Sequence, residues 1–178
     1  MGAREVFKCV LIAALGLGAL ACDIFPKPGD TDGLQQSARW EQHGRIVVDT
    51  DPTYTLVRLR VDTTVAERHD VILARFDFDP SEALGDEYSL TVALDLGDVR
   101  RLSANHSYSL GQAIPAYATV TCLCRPLRPD SVRGTYVMQT RGSRQIAGRI
   151  DATFYFTEWN APRHARYRLR QRIHGVRP

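Results

Sequence analysis

Apolar and polar side chains alternate with a period of two through most of the chain after residue 45, and that alternation restricts it to strands. Successive side chains of a strand point to opposite faces, whereas a helix needs apolar residues three and four apart. Val57, Leu59 and Val61 alternate with Arg58, Arg60 and Asp62. Ile72, Ala74, Phe76 and Phe78 oppose Arg75, Asp77 and Asp79, and Leu90, Val92, Leu94 and Leu96 oppose Thr91 and Asp95. The longest inward row is Ile146, Gly148, Ile150, Ala152, Phe154 and Phe156, with Gly148 expected at a bulge or bend. Strands are predicted over Arg45–Asp49, Tyr54–Thr63, Asp70–Asp79, Tyr88–Asp95, His106–Leu110, Tyr117–Cys124, Gly134–Thr140, Gln145–Thr157 and Arg166–Ile173. One wet face and one dry face per strand implies an all-β fold, an antiparallel sandwich or a barrel. The uneven strand lengths favour the β-sandwich over a lipocalin-like β-barrel.

The first two dozen residues follow another pattern. A short head carrying Arg4 and Lys8 precedes an unbroken apolar run of thirteen residues from Cys9 to Ala21. A helix needs about 20 residues to cross a bilayer, so a cleavable export signal is expected. An uncleaved signal anchor is the alternative, with Val6 and Phe7 lengthening the apolar stretch. Ala19 and Ala21 lead directly into Cys22, and this resembles the lipobox of bacterial lipoproteins, with Ala19 standing where Leu, Val or Ile is commonest. The resemblance implies cleavage before Cys22, acylation of its thiol, and a domain held on the periplasmic side of the inner or outer membrane. Several acyl chains, at about 0.8 kcal/mol per buried methylene, make such an anchor effectively permanent. Gly16, Gly18 and Ala21 have the spacing of a dinucleotide loop, but they follow no strand and lie in the apolar run, so no cofactor is expected.

Residues 22–42 are read as the lipidated cysteine and a flexible tether, rich in Pro, Gly and polar residues over Asp23 to Arg39. Residues 43–178 form one domain, since a chain of 178 residues has room for one sizeable core. The segment from Gly134 to Thr140, the turn from Arg141 to Arg144, and the run from Gln145 to Phe154 look like the C-terminal hairpin of small secreted bacterial β-domains of unknown function.

Of the four cysteines, Cys9 leaves with the signal and Cys22 takes lipid, which leaves Cys122 and Cys124 for the domain. On a strand their thiols share a side, with Cα atoms roughly 6.6 Å apart. That separation is at the upper edge of disulfide geometry. Packed thiols, a strained bridge, a metal site completed by a histidine and a link to another chain all remain open.

Charge divides unevenly along the chain. Residues 23–124 carry nine basic and sixteen acidic side chains, and residues 125–178 carry twelve and three. The last predicted strand sets Arg166, Arg168, Arg170 and Arg172 on one face, opposite Tyr167, Leu169 and Ile173. Four arginines at about 6.8 Å intervals make a stripe about 20 Å long. As a binding surface it would take phosphate headgroups, acidic glycan or an acidic protein. As a folding device it would guard an edge strand, or pair across strands with Asp77, Asp79 and Asp95.

Catalytic motifs are scarce. No G-x-S-x-G elbow, H-E-x-x-H pair or phosphate loop occurs, and His43, His69, His106, His164 and His174 lack ligand spacing. The acidic stretch from Asp77 to Glu87 has Glu82 where a calcium loop needs glycine and Tyr88 where it needs a bidentate carboxylate. A non-enzymatic interaction or scaffolding subunit of an envelope complex is therefore expected, with a membrane and a protein, but not nucleic acid, as partners. A small apolar ligand would require an unfilled interior. An envelope hydrolase would require titratable side chains converging in a cleft.

Overall fold

A computed structural model describes residues 35–51, 56–64, 69–78, 88–122, 127–158 and 164–178. The expected export signal and Cys22 lie outside the described residues. Ten strands follow one another: β1 (Gln35–Gln42), β2 (Arg45–Asp51), β3 (Leu56–Asp62), β4 (Asp70–Phe78), β5 (Tyr88–Asp95), β6 (Ser107–Ser109), β7 (Ala116–Cys122), β8 (Leu127–Arg141), β9 (Gln145–Glu158) and β10 (His164–Val176). A 3₁₀ turn at Val99–Arg101 separates β5 from β6.

Eight strands form one mixed sheet in the order β6-β8-β9-β10-β1-β4-β5-β7, while β2 and β3 make a separate hairpin. The described strands do not close into a barrel, because β6 and β7 end the order. The sheet folds over so that its two halves share one core. Tyr136, Ile150, Phe154, Phe156, Leu169 and Ile173 from β8, β9 and β10 meet Trp40, Ile72, Phe76, Leu90 and Leu94 from β1, β4 and β5. Burial alternates along the whole of β10 and along β9 from Gly148 onward, as the period-two rows require, while Ile146, Ala147 and Gly148 are buried in succession. On the reverse face, where the β2–β3 hairpin contacts β5 and β7, Ala93 and Thr119 are also buried. Val57, Leu59 and Val61 are only half-buried in that hairpin and stand outside the main core.

The halves are joined through the first and last strands. β1 runs antiparallel to β4 along its whole length and meets β10 in parallel at the single pair Arg39 and Val176. Trp40 fixes this junction: its Nε1 donates to Asp70 Oδ1 at 3.1 Å, and the Arg177 guanidinium lies 4.8 Å from its ring centroid. Asp70 Oδ2 also accepts from the Val99 backbone N–H at 2.9 Å, so one buried carboxylate ties β1, β4 and the 3₁₀ turn together.

Four expectations change. The region read as tether as far as residue 42 ends earlier, because Gln35–Gln42 is β1: its polar side chains mask a strand whose inward positions are Ala38 and Trp40. β8 begins at Leu127 rather than Gly134, a register shift between Pro129 and Ser131 absorbing the proline. Gly148 is no bulge in its own strand. The nearby register shift lies on β8, between Met138 and Thr140, and a Cβ at Gly148 would collide with the Tyr136 ring. Finally, β10 is not an edge strand but sits between β9 and β1.

Candidate anion-binding face and groove

The four arginines of β10 project outward together, as their alternation requires, all exposed. Pairing enlarges the row into a face. Arg166 lies opposite Tyr155, Arg168 opposite Thr153, Arg170 opposite Asp151 and Arg172 opposite Arg149. On the other side of β9, Arg128 lies opposite Thr157 and Arg133 opposite Thr153. Seven guanidinium groups thus share the outer wall of β8, β9 and β10, and Arg133 leans over the Tyr155 ring at 5.9 Å.

Among the described outward positions of these strands, the carboxylate set between them is Asp151. Its Oδ2 accepts from Arg170 Nε at 2.8 Å, and its Oδ1 lies 3.6 Å from Arg168 Nη2. The hydrogen bond from Arg170 is the main force holding the Asp151 carboxyl below the usual carboxylate range, and the charges of Arg170, Arg168 and Arg149 add to it. Of the aspartates expected to pair with this row, the two that are described do not. Asp77 binds Arg75 at 2.6 Å on β4, Asp95 binds His69 Nδ1 at 2.9 Å, and Asp79 lies outside the described residues. Asp151 was within reach of sequence reasoning, as the one acid at an outward position of the adjacent strand, but its register against Arg170 was not.

A groove of about 340 Å³ opens between β7 and β8. Its walls include Tyr117 and Ala118 from β7 with Pro129 and Val132 from β8, above Phe154 and Phe156 of β9. It exists because, among the described strands, β7 pairs only with β5, and β6 pairs with β8 no further than Thr135, so two strand edges diverge without a ladder between them. Asp130 is the one carboxylate in its lining. Cys122 closes β7 with its backbone paired to Tyr88, while its side chain and the whole of Cys124 lie outside the described residues. Among the described residues, no group of three or more His, Cys, Asp or Glu could hold a metal ion.

Neither a protein family, nor a curated protein, nor a solved structure gives a match to this chain.

Proposed function

We propose that this chain is a membrane-anchored, extracytoplasmic β-domain acting as a non-enzymatic interaction or scaffolding subunit of an envelope complex. The observation that carries this reading is the basic face. Among the described outward positions in register across β8, β9 and β10, seven arginines share a wall with one carboxylate, Asp151, and Arg149 stands directly opposite Arg172. Like charges directly opposite each other weaken a sheet, so folding gains nothing from that pair. An external anion or acidic surface would relieve the repulsion. The anchor in this proposal is the acylated Cys22 or, failing cleavage, the apolar segment before it.

Affinity purification of the full chain from solubilised membranes tests the proposal. Wild type should retain acidic partners, anionic lipid among them, that Arg168→Gln/Arg170→Gln loses, and radiolabelled fatty acid should label wild type but not Cys22→Ser. Equal recovery of every partner by both proteins would remove the face from the function. An unlabelled wild type retaining Met1 would replace lipidation by the signal anchor.

The groove supports a second reading, a small apolar ligand held between β7 and β8. Its volume is at the lower end of the range for ligand sites, roughly 300–1,000 Å³. An environment-sensitive lipophilic dye should bind wild type and be excluded by Val132→Trp, and equal binding to both would dismiss the groove.

A further inference from the structure

We infer that the outer wall of β8, β9 and β10 docks flat on an anionic lipid leaflet, its guanidinium groups receiving the phosphates of the headgroups. This rests on the proposal of a membrane-tethered interaction module and names what its basic face meets.

Shape is the first reason. Three neighbouring strands spaced about 4.8 Å apart, with arginines from Arg166 to Arg172, give a wall about 10 Å wide and 20 Å long with its cations projecting in one direction. A planar array of headgroups meets such a wall everywhere at once.

Composition is the second reason. A protein interface places apolar side chains at its centre and charge at its rim. Here the order is reversed. Charged Asp151, Arg168 and Arg170 occupy the middle, Val137 and Tyr155 are half-buried, and the exposed large apolar residue on this wall, Val176, stands at its far end.

Charge arrangement is the third. Asp151 engages Arg168 and Arg170, leaving Arg133 and Arg166 toward one end and Arg149 and Arg172 toward the other. Both clusters lie beyond the hydrogen bonds of the one acid. Guanidinium groups bind phosphate oxygens in bidentate fashion, and two clusters separated along the strand direction suit several headgroups rather than one buried anion.

The full chain carrying a photo-crosslinking side chain at Thr153, an outward position of β9 opposite Arg133 and Arg168, provides the test. It is reconstituted into phosphatidylcholine vesicles with or without phosphatidylglycerol, and lipid adducts are measured by mass. Adducts should form in the anionic vesicles and fall sharply in the neutral ones. They should also fall in about 0.5 M salt, where the Debye length shrinks to about 4 Å. At about 1 kcal/mol per basic residue near an anionic surface, Arg168→Gln/Arg170→Gln should lower the ratio of docked to undocked domain about thirtyfold. Asp151→Asn should raise that ratio, an outcome that a merely damaged fold would not produce. Equal adduct yield in neutral and anionic vesicles, or insensitivity to Asp151→Asn and to the double arginine variant, overturns the proposal. So does crosslinking in native membranes to a protein in place of lipid. Failure of the chain to incorporate into either vesicle refutes the anchor instead, because salt-sensitive adducts can still form on anionic vesicles from solution.

Discussion

Tyr136 is wholly buried in β8, yet its hydroxyl has no hydrogen-bond partner among the described residues. Burial pushes its ionisation well above the ordinary tyrosine range, so the phenol stays neutral. An unsatisfied buried hydroxyl costs about 1–3 kcal/mol. Tyr136→Phe should therefore leave the denaturant midpoint unchanged or raise it, and a clear loss of stability would reveal a partner for the hydroxyl. The same ring explains Gly148, where a Cβ would overlap it. Gly148→Ala should cost about 1–3 kcal/mol by overpacking. Adding Tyr136→Leu should recover part of the loss, and two independent penalties would show that the ring and the glycine are uncoupled. Nothing in the sequence marks Gly148 as a partner of Tyr136, because their meeting depends on how β8 and β9 register, not on either strand's own pattern.

The 3₁₀ turn and β10 both set an aspartate against arginines at the surface. In the 3₁₀ turn, Asp98 accepts from the Arg100 backbone N–H at 3.1 Å and from its guanidinium at 2.8 and 2.9 Å. Hydrogen bonding from the Arg100 side chain, then from its backbone, holds the Asp98 carboxyl at about 2, below its ordinary 3.8. A depressed folded value means that its contribution is complete above pH 3.8 and is lost as pH falls through 2. Denaturation midpoints measured across that interval should decline less steeply in Asp98→Asn than in wild type, and identical slopes would show that the cap contributes nothing. In β10, likewise, the ion pairs with Asp151 are exposed, at side-chain accessibilities of 52% for Arg168 and 60% for Arg170. Exposed pairs contribute about 0–1 kcal/mol. Thermal melting of Arg168→Gln/Arg170→Gln should stay within a few degrees of wild type, and a larger drop would make the row a folding device. Inward and outward faces of β9 and β10 were legible in the sequence because each alternates within a single strand. β1 was not, since Gln35, Gln36 and Ser37 look like linker until β4 pairs with them.

At the level of the whole domain, the all-β class was legible, while the order of the strands, the fold-over of the sheet and the groove between β7 and β8 were not. Those features arise from pairings between segments far apart in the chain, which periodicity does not encode. The charge asymmetry is an intermediate case. Its magnitude could be counted, but the concentration of arginines on one wall depends on β8 and β10 flanking β9. Trp40 is the side chain on which the union of the two halves should depend most, since it joins β1 to Asp70 and to Arg177. Trp40→Ala should cost about 3–5 kcal/mol, measured by denaturant unfolding, and a mild effect would mean that the halves hold together without it.

The parallel meeting of β1 with β10 also sets a timetable. Arg39 and Val176 stand almost at opposite ends of the described chain, so the sheet cannot become continuous until the last strand is available. Long-range pairings of this kind slow folding. For the exported domain proposed above such delay would be a gain, because the chain would stay pliable while it emerged and lock only when its last strand arrived on the far side.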